Sequence, residues 1–111
     1  MKKYKGVVVL VHGAGVGGWV YRDVATLLRA HGYQVHTPTF TGLGERVHLL
    51  RKDIPLQTHV DDIVNCIEYN GLKEVILVGH SYGSAVVSVA VDRISEKIKK
   101  QNRRNFCGFT F

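Results

Sequence analysis

Val75-Ile76-Leu77-Val78-Gly79-His80-Ser81-Tyr82-Gly83 is a hydrophobic run that leads directly into a Gly-x-Ser-x-Gly motif. Its four consecutive apolar residues predict a strand buried on both faces, as a central parallel strand is. Ser81 is therefore predicted to stand on a sharp turn between a strand and a helix, the arrangement of a nucleophile elbow. The helix is indicated by apolar residues at helical spacing: Ala85, Val86, Val89, Ala90, Ile94 and Ile98.

The turn around Ser81 has features that suit a nucleophile. The flanking glycines, Gly79 and Gly83, allow two backbone segments to approach closely, and strain would hold the Ser81 hydroxyl out toward a substrate. The amino end of the following helix favours an oxyanion nearby. Gly-x-Ser-x-Gly alone is a common pattern, but its place between a buried strand and an amphipathic helix favours catalysis over a structural turn.

The composition is that of one small domain. The chain has 111 residues, 45% of them hydrophobic, and no apolar run approaches the roughly 18 residues of a membrane span. The run at residues 7–11 is too short for a signal peptide, so it predicts a first strand and a cytoplasmic protein. Two cysteines, Cys66 and Cys107, form neither a disulfide framework nor a metal pair, and no metal site is predicted.

The net charge of +6 comes almost entirely from one end of the chain. Because the basic residues are confined there, they do not indicate a designed nucleic-acid face, and neither nucleic acid nor membrane is predicted as a partner. The cations concerned are Lys97, Lys99, Lys100, Arg103 and Arg104.

Two strands and two helices precede the motif. Residues 5–11 and 33–37 have strand character, and the helix between them is predicted to end at Gly32. Residues 39–55 form a loop of a length that is usually functional or mobile. The second helix is predicted to begin with Thr58 as its cap. Strand and helix thus alternate three times, which predicts an α/β fold of three parallel strands alternating with three helices.

The glycine-rich loop after the first strand has two interpretations. Gly13-x-Gly15-x-x-Gly18 matches the dinucleotide-binding fingerprint, which also needs an acidic residue at the end of the next strand. That strand ends Val35-His36-Thr37-Pro38 without an acid, and Trp19 stands where a pyrophosphate would need room. A dinucleotide-binding module is therefore the less favoured alternative.

The favoured interpretation is an oxyanion hole. Acyl transfer places negative charge on a carbonyl oxygen, and two backbone N–H groups can stabilise that charge. One would come from Tyr82, the residue after the serine, and the other from Ala14, in the loop that parallel topology brings beside the elbow.

Several separated motifs resemble the N-terminal part of the α/β-hydrolase fold family, in the compact branch of plant methylesterases, hydroxynitrile lyases and bacterial esterases. The resemblance implies that Ser81 attacks small carboxylic esters through an acyl-serine, with the Ala14 and Tyr82 amides as oxyanion hole and no cofactor. A lyase reaction on a cyanohydrin stays open. The elbow and loop residues expected to support the site are His12, Gly13, Gly79, His80 and Gly83. The matching stretches, between about residues 5 and 100, are Leu10-Val11-His12-Gly13-Ala14, Gly17-Gly18-Trp19, Thr37-Pro38-Thr39, Thr41-Gly42-Leu43-Gly44-Glu45-Arg46, Thr58-His59-Val60-Asp61-Asp62 and Val78-Gly79-His80-Ser81-Tyr82-Gly83.

The sequence offers no residue that would activate Ser81. In this family an acid and then a histidine follow the serine on later strands, whereas no histidine follows Ser81 here. His80 is predicted to point away from the serine, and His12 to orient its loop through backbone hydrogen bonds. An unactivated serine is a weak nucleophile, so we expect a truncated and nearly inactive hydrolase, with a catalytically dead fragment as the alternative. Surface or loop positions are predicted for His31, His36, His48 and His59.

Residues 101–111 depart from the family pattern, in which a buried strand follows the helix. They show no strand-like alternation, and we interpret them as an aberrant basic tail, hypothetically frameshifted, after an α/β-hydrolase part at residues 1–100. Residues 75–78 would then form an unpaired apolar edge of the sheet. Such an edge predicts self-association. The other predicted partner is a small-molecule ester, the substrate.

Overall fold

A computed structural model describes residues 3–94 and, for the backbone alone, Phe106–Phe109. Strands and helices alternate along the chain as the sequence predicts. The strands are β1 (Gly6–Val11), β2 (Tyr33–His36), β3 (Val75–His80) and β4 (Phe106–Phe109). The α-helices are α1 (Arg22–Ala30), α2 (Leu56–Tyr69) and α3 (Tyr82–Arg93), and two 3₁₀ helices span Gly18–Tyr21 and Gly44–Leu49.

The described strands form one parallel sheet in the order β2-β1-β3-β4. The predicted three parallel strands and three helices are confirmed. Val11, the last residue of β1, pairs with Gly79 near the end of β3. Because neighbouring parallel strands end at the same edge, the glycine-rich loop after β1 emerges beside the turn after β3.

The prediction that β3 lies at the edge of the sheet is wrong. Phe106 pairs with Leu77 and Phe109 with His80, so β4 covers β3 on its outer side. The lack of alternation in the tail does not argue against a strand, because strands of parallel sheets do not show the alternating pattern typical of antiparallel ones. Self-association through a β3 edge loses its basis and stays an untested prediction. Residues 95–105 and 110–111 lie outside the described residues, and with them Ile98 of the predicted third helix and the greater part of the proposed frameshift.

The sheet separates two hydrophobic cores. On one face, α2 and α3 pack over the odd-numbered residues of β3, and Val75 and Leu77 are fully buried there. On the other face α1 supplies the cover, with Ala25 packed near Val8 and Leu10. Ile76 and Val78 on that face are only half-buried. The expected burial of β3 on both faces therefore holds for one face, because a single helix covers the other.

The second helix begins earlier than the sequence suggests. Leu56 is its first residue and the extended Pro55 precedes it, so Thr58 lies inside α2 and the prediction that it caps the helix is wrong. Gly32 and Gly71 follow α1 and α2 with φ of 95° and 63°, as residues that end helices do.

None of the helices within residues 3–94 has the length and the hydrophobicity to cross a bilayer. The cytoplasmic location stays a prediction from the sequence.

Candidate active site

Ser81 stands alone between the end of β3 and the start of α3. Its φ and ψ are 57° and −121°, a conformation that costs a non-glycine residue on the order of 1–3 kcal/mol. Its side chain is exposed. The strained strand-to-helix turn predicted from Gly-x-Ser-x-Gly is confirmed, and the strain presents the hydroxyl to solvent.

Both flanking glycines are required by close backbone packing. A Cβ on Gly79 would lie 2.8 Å from the carbonyl oxygen of Gly83 and from the Cα of Ser84. A Cβ on Gly83 would collide with the carbonyl oxygens of Val11 and His12. The amino end of α3 is thus packed directly on the end of β1.

The oxyanion-hole candidates lie around this junction. A Cβ on Gly13 would be 3.3 Å from the Cβ of Ser81, so the loop that continues into the exposed Ala14 passes beside Ser81. Tyr82 is the first residue of α3, where a backbone N–H has no partner within the helix. The glycine-rich loop and the first residue of α3 therefore lie on either side of Ser81, where the sequence predicts the two backbone donors of an acyl-transfer site.

His12 is fully buried below the loop. Its Nδ1 lies 2.6 Å from the carbonyl oxygen of Gly13, and its Nε2 accepts the N–H of Phe40 at 3.0 Å. A carbonyl can only accept, so Nδ1 carries the hydrogen of a neutral ring. Burial lowers the pKa of His12, which favours that neutral form. With both nitrogens occupied by backbone, His12 holds the loop and does not serve as a base for Ser81.

His12 is expected to make stability depend on pH. Its folded pKa lies below the ordinary value of about 6.5, so its contribution is complete above that pH and is lost as pH falls toward the folded pKa. Urea unfolding between pH 8 and 5 should show this decline, and the decline should be smaller in His12→Gln than in the control His48→Gln, at an exposed histidine of the second 3₁₀ helix. An equal slope in wild type and His12→Gln would contradict the assignment.

His59 corrects a prediction. It was expected at the surface, yet it is only 8% exposed. Its Nδ1 lies 2.7 Å from the hydroxyl of Tyr82, and its Nε2 lies 2.9 Å from the carbonyl oxygen of Thr41. The signal was present in the sequence, since His59, Ile63 and Ile67 follow one another at four-residue spacing on the buried stripe of α2.

The loop at residues 39–55 is tied to the glycine-rich loop. The Thr39 hydroxyl accepts the N–H of Gly18 at 2.8 Å and donates to Glu45 Oε2 at 2.6 Å. This bond from Thr39 is the largest cause of the lowered pKa of Glu45. Arg46 Nη1 donates to the Thr39 carbonyl oxygen at 2.9 Å. Through these contacts, the stretch Gly42-Leu43-Gly44-Glu45-Arg46 holds the loop against the glycine-rich loop.

A second set of hydrogen bonds ties the same loop to α2. Asp62 accepts the N–H of Thr41 at 2.6 Å and its hydroxyl at 2.8 Å. Arg46 adds an ion pair to Asp62 at 3.8 Å. The loop at residues 39–55 is therefore fixed both to the glycine-rich loop and to α2.

The geometry disfavours the dinucleotide alternative. A Cβ on Gly17 would lie 2.7 Å from Glu45 Oε1, so a carboxylate occupies the side of the loop that a pyrophosphate would approach. The Gly18 N–H already donates to Thr39, and a 3₁₀ helix separates the loop from the start of α1.

We therefore expect NAD and FAD to show no saturable binding in calorimetric titration. The ionised Glu45 beside the loop would repel a phosphate, and the glycine amides needed for phosphate binding are partly engaged. Micromolar binding that disappears in Gly15→Trp would contradict this expectation.

The described histidine contacts include no base for the serine. The hydrogen bonds of His12, His31, His36 and His59 all go to partners other than Ser81. His80 is half-buried, with Nδ1 3.4 Å from where a Gly13 Cβ would stand. Ser81 and the glycine-rich loop are therefore adjacent, while the described hydrogen bonds of these four histidines go to other groups.

The sequence model of the alpha/beta hydrolase family matches residues 8–99. This chain belongs to the α/β-hydrolase family. It is 54% identical over 91 residues to the carbendazim hydrolyzing esterase of Nocardioides sp. (strain SG-4G), covering 82% of this chain and 38% of that protein. It is 36% identical over 93 residues to putative methylesterase 15, chloroplastic, of Arabidopsis thaliana, covering 83% of this chain and 21% of that protein.

The α/β-hydrolase assignment also agrees with solved structures. An extracellular α/β-hydrolase from a Paenibacillus species, described as sharing structural and functional homology with tobacco salicylic acid binding protein 2, superposes with a TM-score of 0.78. The identity is 28%, over 85% of this chain and 38% of that one. The chain thus spans well under half the length of each of these three relatives.

Proposed function

We propose that this α/β-hydrolase chain carries the nucleophile and the oxyanion donors of an enzyme that hydrolyses small carboxylic esters. The observation that carries the proposal is the exposed Ser81 on a strained turn, with Gly13 packed against it. Two similar proteins are named as an esterase and a putative methylesterase, which supports ester chemistry.

In the proposed reaction, Ser81 Oγ attacks the carbonyl carbon of the ester, the hydroxyl proton passes to water, and the carbonyl oxygen becomes an oxyanion. The N–H groups of Ala14 and Tyr82 stabilise this charge, which develops fully only in the transition state. The alcohol then leaves with a proton, and water releases the acid from the acyl-serine. The positive amino end of α3 adds to the stabilisation of the anion.

The remaining residues of the site support these groups. Gly79 and Gly83 allow the tight turn, while His12 and Gly13 hold the loop that carries Ala14. His80, the last residue of β3, lies against Gly13 beside the turn. The proposed chemistry uses a covalent acyl-serine and calls for no cofactor.

The acyl-serine tests this proposal. After prolonged incubation with p-nitrophenyl acetate, which allows for a serine without a base, and acid quenching, mass spectrometry should find one acetyl group on the peptide that contains Ser81. Ser81→Ala should show none, whereas Ser88→Ala, at an exposed serine further along α3, should be labelled as in wild type. Acetylation confined to lysines, or equal in Ser81→Ala, would contradict the proposal.

A further inference from the structure

Four rings form a cluster directly behind the candidate oxyanion hole. His12 comes from the end of β1, Phe40 from the loop after β2, His59 from α2 and Tyr82 from α3. The ring centroids of His12 and Phe40 are 4.5 Å apart, and those of Phe40 and His59 are 4.7 Å apart. Tyr82 meets both Phe40 and His59 edge-on at 5.6 Å. Phe40 is fully buried at the centre.

Hydrogen bonds fix the orientation of His59 within this ring cluster. The carbonyl oxygen of Thr41 can only accept, so His59 Nε2 carries a hydrogen and donates to it at 2.9 Å. Nδ1 is then the acceptor for the Tyr82 hydroxyl at 2.7 Å. The imidazole is held at both nitrogens, and it holds the Tyr82 ring in turn.

The ring cluster connects the two backbone donors. At one end, Tyr82 supplies its own N–H beside Ser81. At the other end, His12 donates to the carbonyl oxygen of Gly13, the residue before Ala14, and accepts the N–H of Phe40. Phe40 lies between the two histidines. A displacement of His59 would therefore be transmitted through the buried Phe40 ring to both backbone donors.

We propose that His59 is a positioning residue that sets the separation of the Ala14 and Tyr82 amides. It acts through the Tyr82 hydroxyl and the Phe40 ring, and it does not contact the reacting atoms. This inference rests on the proposed function. An apolar side chain would fill the same place on the stripe of α2, but it would offer no acceptor to the hydroxyl of the residue next to the nucleophile.

Phenylboronic acid in alkaline buffer is a suitable probe, because it needs no general base from the protein. Ser81 Oγ bonds to boron while the hydroxyl proton passes to solvent, and the anionic tetrahedral boronate places its oxygen where the oxyanion would form. Boron NMR measures the dissociation constant of this adduct. Ser81→Ala defines the background.

Tyr82→Phe removes only the hydroxyl and should weaken boronate binding roughly 10-fold, less than the 10²-fold or more that loss of a whole oxyanion donor costs. His59→Leu should weaken it similarly, and the double variant no further, because both interrupt one connection. His59→Asn keeps an acceptor near the position of Nδ1 and should recover part of the affinity. His31→Leu, at an exposed histidine that bonds to the Leu27 carbonyl, should bind as wild type does.

The outcomes separate the two proposals. No adduct with the wild-type protein would overturn the proposed function and this inference with it. An adduct on Ser81 with unchanged affinity in Tyr82→Phe and His59→Leu would overturn the inference alone. If His59→Leu fails to fold, Tyr82→Phe decides, supported by the χ1 couplings of residue 82, which should show one rotamer in wild type and averaging in Tyr82→Phe.

Discussion

Gly83→Ala is expected to destabilise the fold by about 3 kcal/mol, a large part of the roughly 5–15 kcal/mol that holds a domain together. The new Cβ would collide with the carbonyl oxygens of Val11 and His12. These are main-chain atoms at the end of β1 and just after it, and they cannot rotate away, so α3 would have to move off β1. Urea unfolding followed by circular dichroism measures the loss.

Gly15→Ala is the matched control for this substitution. Gly15 has φ of 81°, and a Cβ there would have no neighbour within 4 Å. The cost should be only the backbone strain of about 1–2 kcal/mol that a left-handed residue bears. If Gly83→Ala unfolded no more easily than Gly15→Ala, the close approach of α3 to β1 would not be what requires glycine.

We expect this chain to hydrolyse aryl acetates at least 10²- to 10⁴-fold more slowly than the Nocardioides esterase assayed beside it, since that is the contribution of a general base. No histidine follows Ser81 in the sequence, and the histidine hydrogen bonds described all go elsewhere. Backbone donors alone can leave a residual acceleration of roughly 10³–10⁴-fold over water in serine hydrolases.

Ser81→Ala supplies the baseline for that comparison, and release of p-nitrophenol is the signal. The residual rate of wild type should exceed the baseline only slightly. A wild-type rate close to that of the esterase, and lost in Ser81→Ala, would show that an unidentified group in this chain acts as the base.

The elbow could be predicted from the sequence because all of its determinants are contiguous. These determinants are the four apolar residues of the strand, the two glycines around Ser81 and the apolar residues at helical spacing. They can be recognised without knowing which strands lie on either side. The place of the glycine-rich loop beside the serine needed only the rule that parallel strands end at the same edge. The pairing of Val11 with Gly79 confirms that rule for this chain.

The features that were missed depend on partners distant in sequence. His59 was assigned to the surface by residue type, although its phase on α2 places it with Ile63 and Ile67. Its contacts with Tyr82 and Thr41 arise only when α2, α3 and the loop after β2 converge. The sequence does not predict β4, because its four residues show no alternation. They form a strand by pairing with β3, which is distant in sequence.

The central claim is that Ser81 is a nucleophile presented to an oxyanion hole, and labelling with an alkyl fluorophosphonate tests it most directly. The reagent loses fluoride when the serine oxygen bonds to phosphorus, and the phosphoryl oxygen of the adduct occupies the position of an oxyanion. Peptide mapping should place a single adduct on Ser81, with none in Ser81→Ala. Because Ser81 has no identified base, the incubation is prolonged and carried out at alkaline pH. Labelling that persists in Ser81→Ala, or a wild-type protein that is labelled no faster than Ser81→Ala under these conditions, would contradict the claim.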